Sequence, residues 1–121
     1  MPSPHDVLFR TLADPTRRAI FERLCREGEQ TVGALTARAG VSQPAVSKHL
    51  RVLREAGLVV TRAQAQRRLY RLNPAPLAEV DAWLSRCWNF WEARLESLKA
   101  YSGEGRSLDP GTGALSRKGG P

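Results

Sequence analysis

Cysteine, histidine and long apolar runs are scarce in this sequence, and each scarcity argues against a class of protein. The 121 residues include two cysteines and two histidines: Cys25, Cys87, His5 and His49. A transition-metal site takes three or four converging nitrogen, sulfur or carboxylate ligands, and these residues lack ligand-like spacing. No apolar run approaches the length of a bilayer-spanning helix. The sequence therefore predicts neither a metal site nor a membrane partner.

The cysteines are also too few for a disulfide-stabilised secreted domain. No signal peptide is apparent, so we expect a cytoplasmic protein without a permanent disulfide bond. Cys25 and Cys87 each fall near an apolar stripe of a predicted helix. Thiols in such positions are usually small core residues, so both are expected to be buried. A redox switch is the alternative, and it requires an exposed thiol with a lowered pKa.

Arrangements that carry catalysis are missing as well. The sequence shows no paired carboxylates, no nucleophile beside a base and no glycine-rich phosphate loop. Ser47 and His49 are two positions apart on a predicted helix, so their side chains point in different directions. We therefore predict no catalytic residue, no cofactor and no enzymatic activity.

What the chain does have is positive charge, and that charge is unevenly distributed. There are 19 lysines and arginines against 12 acids, a formal net charge of +7. Residues 1–72 hold the whole excess, whereas residues 73–121 are balanced. Within residues 42–72, the basic side chains face a single acid, Glu55. This distribution is expected for a protein that binds a polyanion such as double-stranded DNA.

Residues 42–58 predict a helix with one apolar face and one face without acids. Ser42 is a good N-cap, and Gly57 can take the left-handed conformation that ends a helix. The apolar face consists of Val46, Leu50 and Leu53. The opposite face carries small, amide and cationic groups that can approach base edges and phosphates: Gln43, Pro44, Ser47, Lys48 and Arg51. An ordinary solvated face is the alternative interpretation.

A short helix and a hairpin flank this helix. Thr31 is expected to cap a helix over Val32–Ala39, and Gly40 makes the turn of a helix-turn-helix. Two strand-like runs follow at 58–62 and 68–72, joined by a polar loop over 63–67. A hairpin with a basic rim can lie along the DNA backbone. A plain hairpin whose arginines only keep its edge soluble is the alternative.

Further helices are predicted on both sides of this segment. The first covers Asp6–Leu12, and the second starts after Asp14, with a proline at its first position, and ends at Gly28. Prolines at 74 and 76 mark the start of a long last helix, because proline is tolerated in a first turn and not in a helix interior. Residues 1–101 are expected to form one domain, and residues 102–121, rich in Gly, Ser and Pro, a disordered tail.

The long helix carries more apolar surface than one face can bury. All three tryptophans and Phe90 fall on it, while a domain of about 95 ordered residues has only a limited core. A second copy of the chain, related by twofold symmetry, is the economical partner. The dimer contacts are expected at Leu84, Trp88, Trp91 and Leu95. An aromatic pocket for a small organic effector is the alternative.

Three stretches give the sequence a specific family resemblance. They are ADPTRRAIFERL at 13–24, VSQPAVSKHLRVLREAGLV at 41–59 and RRLYRL at 67–72. They resemble the ArsR/SmtB winged-helix repressors of bacteria, and the likeness covers roughly residues 6–98. It implies a mainly helical, dimeric winged helix-turn-helix of order α-α-α-α-β-β-α that represses a promoter by binding an inverted repeat. By position, it implies base or phosphate contacts at Gln43, Pro44, Ser47 and Lys48, and wing contacts at Arg67 and Arg68.

The chain also departs from that family at the metal sites. Where metal-sensing members often carry Cys-Val-Cys, it has Thr31-Val32-Gly33, and its last helix contains no histidine and keeps Asp81 as a single carboxylate. The prediction is therefore a repressor that does not respond to metals. A repressor of the same fold that responds to an organic effector or to oxidation, and a winged helix that binds a protein, are the alternatives.

Overall fold

The computed structural model describes residues 2–102, and this part of the chain contains five helices and three strands. The elements are α1 (Pro4–Thr11), α2 (Pro15–Glu27), β1 (Gln30–Thr31), α3 (Val32–Ala37), α4 (Gln43–Glu55), β2 (Val59–Gln64), β3 (Arg67–Leu72) and α5 (Pro74–Ser102). The predicted disordered tail lies outside the described residues, apart from Ser102, which ends α5.

Side-chain caps fix where the helices begin. Asp14, Thr31 and Ser42 accept hydrogen bonds from backbone amides at the starts of α2, α3 and α4, as predicted. Helix α1 begins two residues earlier than predicted, because Ser3 and Asp6 form a capping box with two hydrogen bonds of 3.2 Å. Helix α3 is two residues shorter than predicted and ends before Arg38.

The sheet has one strand more than predicted and a tighter hairpin. Its antiparallel order is β1-β3-β2, and the unpredicted β1 pairs Gln30 with Tyr70 in β3. Strand β2 continues to Gln64, which pairs with Arg67. The predicted loop over 63–67 is therefore wrong, since only two residues, Ala65 and Gln66, connect the strands.

The core forms around the apolar face of α4. Val46, Leu50 and Leu53 are fully buried, which confirms the predicted face. They cluster with buried residues of α1, α2, α3 and β2 and with Val80 of α5. Helix α4 is therefore held along one side, and its opposite side faces solvent.

The chain divides into two compact units, the first ending at Leu84 and the second beginning at Ser85. In the first, the His5 ring stacks on Trp83 with centroids 4.9 Å apart, and Phe9 meets Trp83 edge-on at 5.9 Å. The described part of the second unit is the remainder of α5. It exposes the large side chains of Phe90, Trp91, Leu98 and Tyr101.

The expectation that both cysteines are buried is wrong, because Cys25 and Cys87 are exposed. Cys25 follows the buried Leu24 and is rotated by about 100° from it around the helix, since a turn takes 3.6 residues. Partial desolvation and the nearby Glu22 raise the pKa of the Cys25 thiol, which disfavours the reactive thiolate. At Cys87, the neighbouring Trp88 takes the half-buried position.

Candidate nucleic-acid interface

The structure brings the five α4 residues predicted to contact DNA to one exposed surface. The Ser42 hydroxyl caps the helix by accepting from the Ala45 amide at 3.3 Å, and Gly40, with a φ of 75°, makes the preceding turn. The exposed residues are Gln43, Pro44, Ser47, Lys48 and Arg51. We name this surface the α4 polar face. Among the described residues it includes no acid, and Lys48 and Arg51 form no ion pair there.

The two predicted wing residues lie next to each other on β3 but on opposite faces of the hairpin. Successive side chains of a strand point to opposite sides, so Arg67 and Arg68 cannot both face one flat surface. Both are exposed. Arg68 donates to the Thr61 hydroxyl at 3.3 Å, whereas Arg67 forms no ion pair with another described residue. The structure therefore leaves Arg67 the freer of the two cations.

Glu29 contacts the hairpin although it lies outside residues 42–72. The charge count of that segment, which contains Glu55 as its single acid, therefore missed it. Glu29 accepts two hydrogen bonds from Arg62, from Nε to Oε2 and from Nη2 to Oε1, both at 2.8 Å. These bonds lower the pKa of Glu29 and raise that of Arg62. The two residues are 33 positions apart, and only the unpredicted strand β1 signals their proximity.

Several other arginines serve the fold. Arg23 donates to the backbone oxygens of Leu35 at 2.8 Å and Ala34 at 3.2 Å, which ties α3 to α2. Arg17 donates to the carbonyl oxygen of Thr11, the last residue of α1, and Arg18 to that of the next residue, while Arg38 pairs with Glu27 at 2.7 Å. The positive charge available to a polyanion is therefore smaller than the sequence count, and it is concentrated on α4 and the hairpin.

His49 lies at the edge of the α4 polar face and is mostly buried. Its Nδ1 makes no hydrogen bond to another described residue, and it lies 3.9 Å from Oδ2 of Asp14, which is too long for a hydrogen bond. His49 is therefore a packed side chain at this position. The contact places α4 beside the N-terminus of α2.

Comparison with known proteins agrees with this geometry. A helix-turn-helix domain family matches residues 12–62. An HTH-type transcriptional regulator of Mycobacterium tuberculosis is 48% identical over 83 residues, or 69% of this chain and 77% of that protein. The arsenical resistance operon repressor of Escherichia coli is 37% identical over 94 residues, 77% of both chains. An ArsR-like transcriptional regulator from Rhodococcus sp. RHA1 superimposes with a TM-score of 0.68 at 31% identity, covering 85% of this chain and 95% of that one.

The chain belongs to the ArsR family of transcriptional regulators. The family resemblance inferred from the sequence is thereby confirmed, as is the winged helix-turn-helix fold, with the third strand as an addition. Proteins of this family and fold are DNA-binding regulators and not enzymes. The α4 polar face and the hairpin are accordingly the surfaces to consider for DNA.

Elsewhere in this ArsR-family chain, the four predicted dimer residues are accessible to different degrees. Leu84 is 52% exposed and Trp91 is 51% exposed, whereas Trp88 and Leu95 are half-buried. Within the second unit, Phe90, Leu98 and Tyr101 are exposed on α5, and the Arg94 guanidinium lies 5.7 Å from the centre of the Phe90 ring.

Residues 2–102 are predicted from the sequence to hold neither a metal site nor a membrane span. This part of the chain has no group of three or more His, Cys, Asp or Glu side chains placed to hold a metal ion. None of its helices combines the length and the apolar character needed to cross a membrane.

Proposed function

We propose that this ArsR-family chain acts in the cytoplasm as a homodimeric repressor that binds a near-palindromic promoter operator. The observation that carries the proposal is the α4 polar face, which is exposed and free of acids while the opposite side of α4 is fully buried. A helix held in this way can enter a major groove as a rigid body. It presents an amide, a hydroxyl and cations to the DNA.

The residues of the interface divide by chemistry. Gln43 and Ser47 contact base edges, while Lys48 and Arg51 contact phosphates. The wing arginines Arg67 and Arg68 lie on opposite faces of the hairpin and contact phosphates on its two sides. In a twofold dimer the two α4 helices occupy successive major grooves about 34–36 Å apart. The promoter is repressed because the dimer occupies it.

A second copy of the chain is proposed as the partner of α5. The exposed side chains of Phe90, Trp91 and Leu98 support it, since large apolar side chains clustered on one helix favour a protein contact. Leu84, Trp88 and Leu95 complete the proposed contact.

The proposed repressor does not respond to metals. Thr31-Val32-Gly33 offers no thiol at the position where metal-sensing relatives carry two. Addition of zinc ions or of an arsenical compound is therefore expected to leave DNA affinity unchanged. Metal-dependent release of the DNA would overturn this part of the proposal.

The test is a titration of the full chain with DNA selected from the source genome and with a random duplex, over a range of salt. Gln43→Ala is expected to lose about 1–3 kcal/mol of discrimination between the two duplexes, the value of a bidentate base contact. Lys48→Ala is expected to reduce the salt slope by about 0.9 on both duplexes, the share of one phosphate.

Asn89→Ala, which removes an exposed amide on α5, is the matched control. It is expected to change neither the discrimination between the two duplexes nor the salt slope. Equal losses on both duplexes for Gln43→Ala would show that this residue does not read bases. A wild-type chain without salt-dependent DNA binding would overturn the proposed function in favour of a protein-binding winged helix.

A further inference from the structure

The ion pair between Glu29 and Arg62 is built differently from an incidental surface contact. Arg62 directs two nitrogens at the two carboxylate oxygens, both at 2.8 Å, which is the fork geometry of the strong charge-assisted hydrogen bonds. The partners come from different elements, Glu29 from the residue before β1 and Arg62 from β2. The pair therefore spans the sheet.

The strand register shows which cations surround Glu29. Arg62 pairs with Leu69 and Val60 with Arg71, and these residues share one face of the hairpin because directly paired residues point to the same side. Arg71 also interacts favourably with the Glu29 carboxylate. Arg67 lies on the same face next to the turn and has no acid partner among the described residues.

An arginine held in this way is not available to DNA. To contact a phosphate with Nε and Nη2, Arg62 has to give up both bonds to Glu29. If it uses its remaining N–H groups instead, the paired Glu29 carboxylate comes close to the phosphate and repels it. Contacts to phosphates supply affinity without sequence information. An acid that forms an ion pair with an arginine of the hairpin consequently lowers the part of the DNA affinity that does not depend on sequence.

We propose that Glu29 withholds Arg62 from the phosphate backbone and so limits the binding of this regulator to random DNA. The inference depends on the proposed function, because it assumes that the hairpin lies against DNA. In this arrangement Arg67, at the turn, makes the wing contact on this face, and Arg62 does not.

The experiment measures the affinity of the full chain for a random duplex at 50 to 200 mM salt. Glu29→Gln is expected to bind this duplex more tightly at low salt. Its ratio of affinities between 50 and 200 mM is expected to rise by about 3.5-fold, the salt dependence of one additional phosphate contact on B-DNA. Arg62→Gln alone is expected to leave the salt dependence unchanged.

The double variant E29Q/R62Q decides whether Arg62 is the cause. It is expected to lose the additional salt dependence of Glu29→Gln, whereas retention of the gain would assign it to the lost carboxylate charge and overturn the proposal. Glu22→Gln removes the same unit of charge from an exposed acid that pairs with no described arginine. It is the charge-matched control and is expected to resemble the wild type.

Other outcomes are also decisive. An unchanged or weakened affinity of Glu29→Gln, or a shallower salt slope of Arg62→Gln, would show that Glu29 does not withhold Arg62. Arg62→Lys keeps the charge but cannot form the two-bond fork, so it is expected to show a steeper slope than Arg62→Gln even if Glu29→Gln fails to fold. A wild-type protein with no salt-dependent binding would instead overturn the proposed function itself.

Discussion

Ala65 occupies a backbone conformation that its side chain disfavours. Its φ is 57°, and it is the only described residue other than glycine with a positive φ. It is the first of two residues that connect β2 to β3, a position where hairpins prefer glycine because glycine has no Cβ to clash. The hairpin tip is therefore strained at one residue.

Ala65→Gly is expected to stabilise the protein by roughly 0.5–1 kcal/mol, because relief of the strain exceeds the added freedom of the unfolded chain. Urea denaturation of both proteins measures the difference. Gln66→Gly, at the neighbouring position without a positive φ, is the matched control and is expected to destabilise, since only the entropic cost remains. Similar effects of the two substitutions would contradict this account of the turn.

For individual residues, the sequence predicts which side of α4 is buried. It does not predict which acids and arginines form ion pairs. The spacing of Val46, Leu50 and Leu53 is sufficient for the first, because helix geometry is local. The pairing of Arg62 with Glu29 depends on the tertiary fold. Counting the charges within one segment therefore overestimates the number of cationic side chains that are free to bind DNA.

At the scale of the element, the N-cap of helix α2 makes the stability of the fold depend on pH. The Asp14 carboxylate accepts from the Arg17 amide at 2.9 Å, and this bond is the main reason that the pKa of Asp14 is lowered, with the nearby His49 contributing less. A carboxylate whose pKa is lower in the folded state stabilises the fold at any pH above its unfolded pKa. That contribution is lost as pH falls through the folded value.

Asp14→Asn is expected to be less stable than the wild type at pH 6, because asparagine keeps the cap but loses the charge at the helix N-terminus. The difference is expected to shrink as the pH falls below about 4, where the aspartate of the unfolded chain begins to bind protons, and to disappear only below the lowered pKa of the folded state. Denaturant unfolding at pH 6 and pH 3 measures it, and Glu22→Gln, which caps no helix, serves as the control. A difference at pH 3 as large as that at pH 6 would assign the effect of Asp14 to shape and not to charge.

Elements with a clear periodic pattern are predictable from the sequence, and those without one are not. Helix α4 and its cap match the prediction because an apolar stripe and a capping residue both mark it. Strand β1 has only two residues between two helices, too few to show alternation. The ends of β2 and β3 extend into exposed positions up to Gln64 and Arg67, where no apolar residue marks the strand.

At the scale of the whole molecule, charge and apolar surface are separated along the chain. The positive excess lies within residues 1–72, which contain α4 and the hairpin. Of the exposed aromatic residues, Phe9 lies in the first unit and packs against Trp83, whereas Phe90, Trp91 and Tyr101 lie in the second, and the net charge beyond residue 72 is zero. Such a division is expected of a protein that binds a polyanion with one part and a copy of itself with another.

If α5 forms the dimer contact, both the mass of the protein in solution and its preference for a full operator depend on this helix. The wild-type chain is expected to sediment with twice the 13.4 kDa of one copy at micromolar concentration. Trp91→Glu places a charge where a half-exposed indole is proposed to be buried against the partner. It is therefore expected to shift the protein toward the monomer.

Asn89→Glu introduces the same charge at an exposed polar position of α5 and is expected to remain dimeric. Because two half-sites act together only in the dimer, Trp91→Glu is expected to lose much more affinity for a full palindromic operator than for a single half-site. A wild-type chain that sediments as a monomer, or a Trp91→Glu variant that keeps both its mass and its preference for the full operator, would refute the proposed role of α5.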